Sequence, residues 1–168
     1  VIYSPCYYGE LEYDIRLAAE LDGLCAVRYP RGCEKKDPGL DYTGDYTVLS
    51  GSGKKAIVTY GRLFSDALEA KEQVSDVNIV KLNKIYPISD ELIKTLKGYG
   101  EIHFFEESVK NGGIGELCAA KLLESGYNGI YRIHAVDNKF VPTATVTSAI
   151  AGCGLDTDSM ISAVKNDE

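Results

Sequence analysis

Histidine is scarce in this sequence of 168 residues. His103 and His134 are the only two, and neither has a second ligand-type residue at a metal-like spacing, so no transition-metal site is expected. C-x-x-C pairs are missing as well. Cys6, Cys25, Cys33, Cys118 and Cys153 are odd in number and widely scattered, which indicates neither a disulfide framework nor a zinc site. Reduced thiols and a cytoplasmic location are expected instead. Long apolar runs are lacking: none approaches the ~20 residues that cross a bilayer, and no charged n-region precedes an apolar segment at Val1. No membrane span is expected. Basic charge is in deficit, with 18 Lys and Arg against 25 Asp and Glu and a net charge of -7. That balance disfavours non-specific contact with nucleic acid or anionic lipid, so any anion must be held by a local cluster.

What is present suits a folded domain. Hydrophobic residues make up 45% and charged residues 26% of the chain, so a real core is available within one domain, or one domain and a fragment of another. From Ala56 onward, short β-branched runs alternate with amphipathic segments, the form taken by a parallel α/β sheet. Strands are predicted at 56–60, 77–82, 102–106 and 130–135. Between them, Phe64, Ala67, Leu68 and Val74 share one helical face. Ser89 is placed to cap a helix that has Asp90 and Glu91 in its positive first turn. A third helix, with Ile114, Cys118 and Leu122 on one face, has Gly126 at its far end as the natural left-handed cap. Further helices are predicted over 143–151, with Val146, Ala149, Ile150 and Cys153 on one face, and around Met160, Ile161 and Val164.

The first 49 residues read differently. A helix from about Gly9 to Leu21, with Leu11, Ile15 and Ala18 inward, leads to a strand at 24–28. Residues 30–46, rich in Pro, Gly, Asp and Lys, then read as a surface connection. This head is too small to enclose a core by itself, which suggests that the chain begins inside a domain.

The most informative segment is Arg28-Tyr29-Pro30-Arg31-Gly32. Two arginines leave a strand end three residues apart, Pro30 restricts the backbone between them, and Gly32 permits a turn. Arginine's planar fork of donors suits phosphate or carboxylate. In an acidic chain this is a candidate anion site, with surface ion pairing as the plainer alternative.

The same string carries a family resemblance. Ser4-Pro5, Glu10-Leu11 and Ala26 to Gly32, then Ile57-Val58-Thr59-Tyr60-Gly61, Ala67 to Ala70, Tyr86-Pro87-Ile88-Ser89-Asp90, Glu106-Glu107 and Gly112-Gly113-Ile114-Gly115 stand in this order along the sequence. Together they resemble the C-terminal portion of the deoxyxylulose-5-phosphate synthases, thiamine diphosphate enzymes of the transketolase superfamily. The resemblance implies an α/β three-layer domain with a mostly parallel sheet over 50–168. Before it would stand a linker over 37–49 and, over 1–36, the last helix and strand of a pyrimidine-binding domain. It also implies condensation of pyruvate with glyceraldehyde 3-phosphate with loss of CO2, for isoprenoid, thiamine and pyridoxal precursors, in a homodimer using thiamine diphosphate and Mg2+. Arg31 matches the arginine of the aldehyde's phosphate pocket, and Arg28 would support it. The cofactor and metal motifs of the family lie in an upstream part of the enzyme, so this stretch alone is expected to bind neither and to be inactive. The family's His-Gly pair after the last strand is absent, where Val136 to Pro142 run into Thr-Ala-Thr. Two alternatives are a stand-alone binding or assembly module of the same fold and the C-terminal domain of a 2-oxo-acid dehydrogenase β subunit. RYPRG argues against the latter, whose acceptor carries no sugar phosphate.

Other features carry less. Glu106 and Glu107 are adjacent on a strand and point to opposite sides, so they do not form an acid/base pair. Gly112 to Gly115 opens a helix and reads first as a tight turn, although its N-H groups suit an anion. His134 reads as a sheet histidine. Of twelve tyrosines, Tyr3, Tyr7, Tyr8 and Tyr13 cluster at the start and suggest an interface.

Overall fold

The computed structural model describes residues 1–165. The head consists of β1 (Ile2–Tyr3), α1 (Tyr8–Glu20) and β2 (Ala26–Val27). Then follow β3 (Tyr46–Leu49), β4 (Lys55–Tyr60), α2 (Leu63–Gln73), β5 (Asn78–Leu82), β6 (Lys84–Tyr86) and α3 (Asp90–Leu96). The remainder is β7 (Glu101–Val109), α4 (Ile114–Glu124), β8 (Ile130–Val136), α5 (Val146–Gly152) and α6 (Thr157–Lys165).

The main sheet has the order β3-β5-β4-β7-β8 and is parallel except where β3 runs antiparallel to β5. Parallel strands joined by helices need both faces covered, and the alternation along each strand supplies two cores. Ile57, Ile79 and Phe105 face Phe64 and Ala67 of α2 and Met160 and Val164 of α6. Val58, Val80 and Phe104 face Leu92 and Leu96 of α3 and Cys118 and Leu122 of α4. The result is the expected three-layer α/β arrangement.

Local signals explain several ends. The Ser89 hydroxyl accepts from the Leu92 N-H at 3.3 Å and starts α3. Gly126, at φ +80°, stops α4 while the Tyr127 N-H returns to the Leu122 carbonyl at 3.0 Å. α5 starts later than expected, at Val146, because Thr145 caps it by accepting from the Ser148 N-H at 3.2 Å. Val146 is exposed, so the stripe predicted there is only partly used; Ala149, Ile150 and Cys153 are half-buried.

The head departs from expectation in three ways. Tyr46–Leu49, placed by the sequence in the connection, form an edge strand of the main sheet. The loop before it is tied down: the Asn83 side chain donates to the carbonyls of Tyr42 at 3.1 Å and Gly44 at 2.7 Å. Secondly, α1 buries Glu10 and Asp14, while Ile15 is 53% exposed. The inward face is acidic because Lys81 of β5, itself fully buried, stands opposite and pairs with Glu10. Thirdly, Tyr3 and Tyr7 belong to the core. The Tyr7 ring lies 6.0 Å from that of Tyr42 and 6.1 Å from that of Phe64, so these two are not available for an interface. A small sheet of order β2-β1-β6 completes the join, with β1 parallel to β2 and antiparallel to β6.

Candidate functional site

Three chain segments meet where β1, β4 and β7 run out. β1 is followed by Ser4, whose carbonyl accepts from the Gly61 N-H at 3.2 Å and whose hydroxyl donates to the Arg28 carbonyl at 3.2 Å. β4 ends at Tyr60, and Gly61 then turns at φ +58° into Arg62 and α2. Ser4, Arg28 to Arg31, Tyr60 to Arg62 and Glu107 enclose a cleft of about 110 Å³. A neighbouring cleft of about 310 Å³ shares Arg31 and Arg62 and reaches Cys6, Cys33 and Ser65. Ligands of open α/β sheets gather at such carboxyl ends.

The two arginines predicted from sequence differ in what they do. Arg28 is engaged by the protein. Its Nη2 donates to the Glu107 carbonyl at 2.6 Å, its Nη1 donates to the Tyr60 hydroxyl at 3.4 Å, and its guanidinium lies 5.6 Å from the Tyr60 ring centre. Arg31 is exposed, and among the described residues no hydrogen bond or ion pair engages its guanidinium. Its backbone, by contrast, is held: the carbonyl accepts from Arg62 Nη2 at 3.2 Å. Arg62 Nε in turn lies 3.0 Å from Glu107 Oε2, within ion-pair distance but without hydrogen-bond alignment. The site thus has three arginines against one carboxylate in a chain that is acidic overall, and one of the three has a free fork. A phosphate or carboxylate is the chemistry that such a fork takes.

Glu106 and Glu107 face opposite ways. Glu107 borders the cleft. Glu106 is fully buried and accepts from the Ile114 N-H at 3.0 Å, the Gly115 N-H at 3.1 Å and the Tyr60 hydroxyl at 2.8 Å. The glycine turn before α4 therefore does cradle an anion, and that anion is the protein's own carboxylate. Burial first, then the charge of Glu106, push the Tyr60 hydroxyl well above its ordinary range, so it remains a donor. Sequence reasoning passed over Arg62, Tyr60 and Ser4 as site residues. Tyr60-Gly61-Arg62, where a buried strand turns into a helix, was the signal that could have marked them.

The described residues contain no group of three or more His, Cys, Asp or Glu arranged to hold a metal ion. Nor is any of their helices long and apolar enough to cross a membrane. All five cysteines are free thiols.

An α/β module with arginines gathered at its strand ends is the class that fold and site define. More particularly, residues 44–158 match the family described as "Transketolase, C-terminal domain", and the chain belongs to that family. It is similar along nearly its whole length to enzymes named 1-deoxy-D-xylulose-5-phosphate synthase. That of Haemophilus influenzae is 30% identical, with 99% of this chain and 27% of the relative covered. That of Nitrosomonas eutropha is 27% identical, with 98% and 28% covered. The chain therefore spans a little over a quarter of the length of these relatives. Its fold is shared with the solved structure described as "Split gene transketolase, inactive beta4 tetramer", at a TM-score of 0.83 and 23% identity, over 98% of this chain and 56% of that one.

Proposed function

We propose that this chain is the C-terminal portion of a 1-deoxy-D-xylulose-5-phosphate synthase, which joins pyruvate to glyceraldehyde 3-phosphate with loss of CO2. In this reading Arg31 holds the phosphate of the aldehyde and Arg28 supports the segment that carries it. Residues 1–36 close a pyrimidine-binding domain, 37–49 link, and 50–168 form the transketolase C-terminal domain, although β3 already lies in the main sheet. The remainder of the polypeptide, a second copy in a homodimer, and a cytoplasmic setting complete the enzyme. Thiamine diphosphate with Mg2+ supplies the carbanion chemistry that removes CO2 from pyruvate. The resemblance puts the family's cofactor and metal motifs in the rest of the enzyme, so that cofactor is assigned there, and the separate chain is expected to show no heat of binding with it.

The observation that carries the proposal is the contrast between Arg31 and Arg28. One guanidinium is engaged by the protein, while the other is free on a backbone that the protein grips. A free arginine fork on a fixed backbone reads a dianion bidentately. In the full-length enzyme, Arg31→Ala is expected to lower kcat/KM for glyceraldehyde 3-phosphate by roughly 10- to 150-fold, the equivalent of ~1.5–3 kcal/mol for a charge-assisted hydrogen bond. Arg31→Lys should recover part of this, because charge is kept and the fork is lost. Use of pyruvate and of unphosphorylated glyceraldehyde should change little. An equal loss with both aldehydes would mean that Arg31 does not read phosphate.

A further inference from the structure

We infer that Tyr60 and Arg62 of the C-terminal domain are positioning residues that set Arg31 in place through the neighbouring pair Glu106 and Glu107. The inference rests on the phosphate reading of Arg31. Arg31 lies on a connection, followed by Gly32 at φ +117°, and its exposed side chain packs into no core. A group that must meet a phosphate needs its backbone held, because small displacements of a positioning group cost large factors in rate.

Two threads from the main sheet provide that hold. One starts at the N-terminus of α4, where the Ile114 and Gly115 N-H groups fix the Glu106 carboxylate. Glu106 accepts from the Tyr60 hydroxyl, which receives Arg28 Nη1 on the cleft side while the Tyr60 ring lies beside the same guanidinium. The other starts at Glu107. Its carbonyl accepts from Arg28 Nη2, and its carboxylate lies beside Arg62, whose Nη2 donates to the carbonyl of Arg31 itself. Because adjacent strand residues face opposite ways, one glutamate reaches inward to anchor Tyr60 and the other outward to orient Arg62. Both ends of the Arg28 to Arg31 span are thus tied to the domain. Neither thread uses the Arg31 guanidinium, which remains available to an anion.

The test is steady-state kinetics of the full-length enzyme carrying Tyr60→Phe, Arg62→Ala or Arg62→Lys, with Arg31→Ala as reference. Tyr60→Phe keeps the ring and removes both hydroxyl contacts, so it changes position with little change of volume. Tyr60→Phe and Arg62→Ala are each expected to raise KM for glyceraldehyde 3-phosphate about 3- to 10-fold, the range for losing one or two hydrogen bonds. KM for pyruvate and for unphosphorylated glyceraldehyde should stay within about twofold, and Arg62→Lys should restore part of the loss. A general folding defect would instead alter all three substrates together and lower the melting temperature, and that result overturns the inference. If Arg31→Ala separates the two aldehydes but Tyr60→Phe and Arg62→Ala do not, positioning alone fails. If Arg31→Ala does not separate them, the phosphate reading fails and the inference falls with it.

Discussion

Lys81 of β5 and Glu10 of α1 form an ion pair with neither side chain exposed, joining the main sheet to the head across 71 residues of sequence. Both charges are further satisfied. Lys81 Nζ donates to Asn83 Oδ1 at 2.7 Å and lies 5.1 Å and 5.7 Å from the ring centres of Tyr42 and Phe64, while Glu10 Oε2 accepts from the Cys6 N-H at 2.7 Å. Breaking such a pair strands one charge in a low-dielectric setting. Lys81→Met is therefore expected to cost about 3–5 kcal/mol in urea unfolding of the chain, and combining it with Glu10→Leu should recover part of that. A loss below ~1 kcal/mol for the single variant would rule out this pair as the main fastening.

Asp14 follows one turn later on α1, buried, with Oδ2 lacking any hydrogen-bond partner. Burial first, then the charge of Glu10, push its carboxyl up to about 7, against the pull of Lys81. In the unfolded chain it titrates near 3.9. Between roughly pH 4 and 7 the folded state thus keeps a proton that the unfolded state has released, so stability falls as pH rises through that window and is flat above it. Asp14→Asn removes this dependence. Its melting temperature relative to wild type should climb from about pH 4.5 to 7 and then level off; a difference that does not vary with pH would contradict the assignment.

These two acids also mark the limit of what the sequence reveals. The helix around Ile15 was legible, but its inward face was not, because an apolar-stripe reading sends carboxylates to solvent and the compensating lysine is remote in sequence. β3 was hidden for a related reason. Its four residues pair with β5, and the loop before it is anchored by Asn83, both of which lie beyond the next strand of the sequence. Ser89 and Gly126 were legible because a cap acts within one turn of its own helix. At the site, the RYPRG string lines a cleft at the strand ends, yet the difference between the engaged Arg28 and the free Arg31 depends on Tyr60 and Glu107. The glycine turn advertised an anion cradle without revealing that Glu106 fills it.

His103 and His134 pair across β7 and β8, with Nδ1 of the first 3.0 Å from Nε2 of the second. The ring of His134 also stacks on Phe105 at 4.1 Å, and His103 Nε2 faces Glu101 Oε1 at 3.0 Å. Burial, then the charges of His103, Arg132 and Lys110, hold His134 down to about 4. Burial also lowers His103, outweighing the pull of Glu101. With folded values below the ordinary ~6.5, both histidines contribute stability that is complete above that pH and declines as pH falls below it, for His134 down toward about 4. The slope is opposite to that of Asp14 over an overlapping range. His134→Gln should therefore flatten the acid side of the melting profile, and an unchanged acid side would show that His134 is protonated in the folded chain.

Gly113 owes its identity to Glu106 and not to its own backbone, which is ordinary at φ -73° and ψ 170°. A Cβ there would stand 2.2 Å from Glu106 Oε1 and 2.8 Å from its Cδ. That carboxylate cannot simply swing aside, because two N-H groups and the Tyr60 hydroxyl hold it. Gly113→Ala is expected to cost ~2–3 kcal/mol, from overpacking together with weakened charge-assisted hydrogen bonds. Gly112 is the control. It has φ +78° but open space around its Cβ position, so Gly112→Ala should cost only the ~1–2 kcal/mol of a left-handed alanine. The two glycines separate on a Glu106→Ala background. There the cost of Gly113→Ala should nearly vanish, since the clashing atoms are gone, while that of Gly112→Ala persists. Equal costs for Gly113→Ala in both backgrounds would show that Glu106 is not what the glycine makes room for.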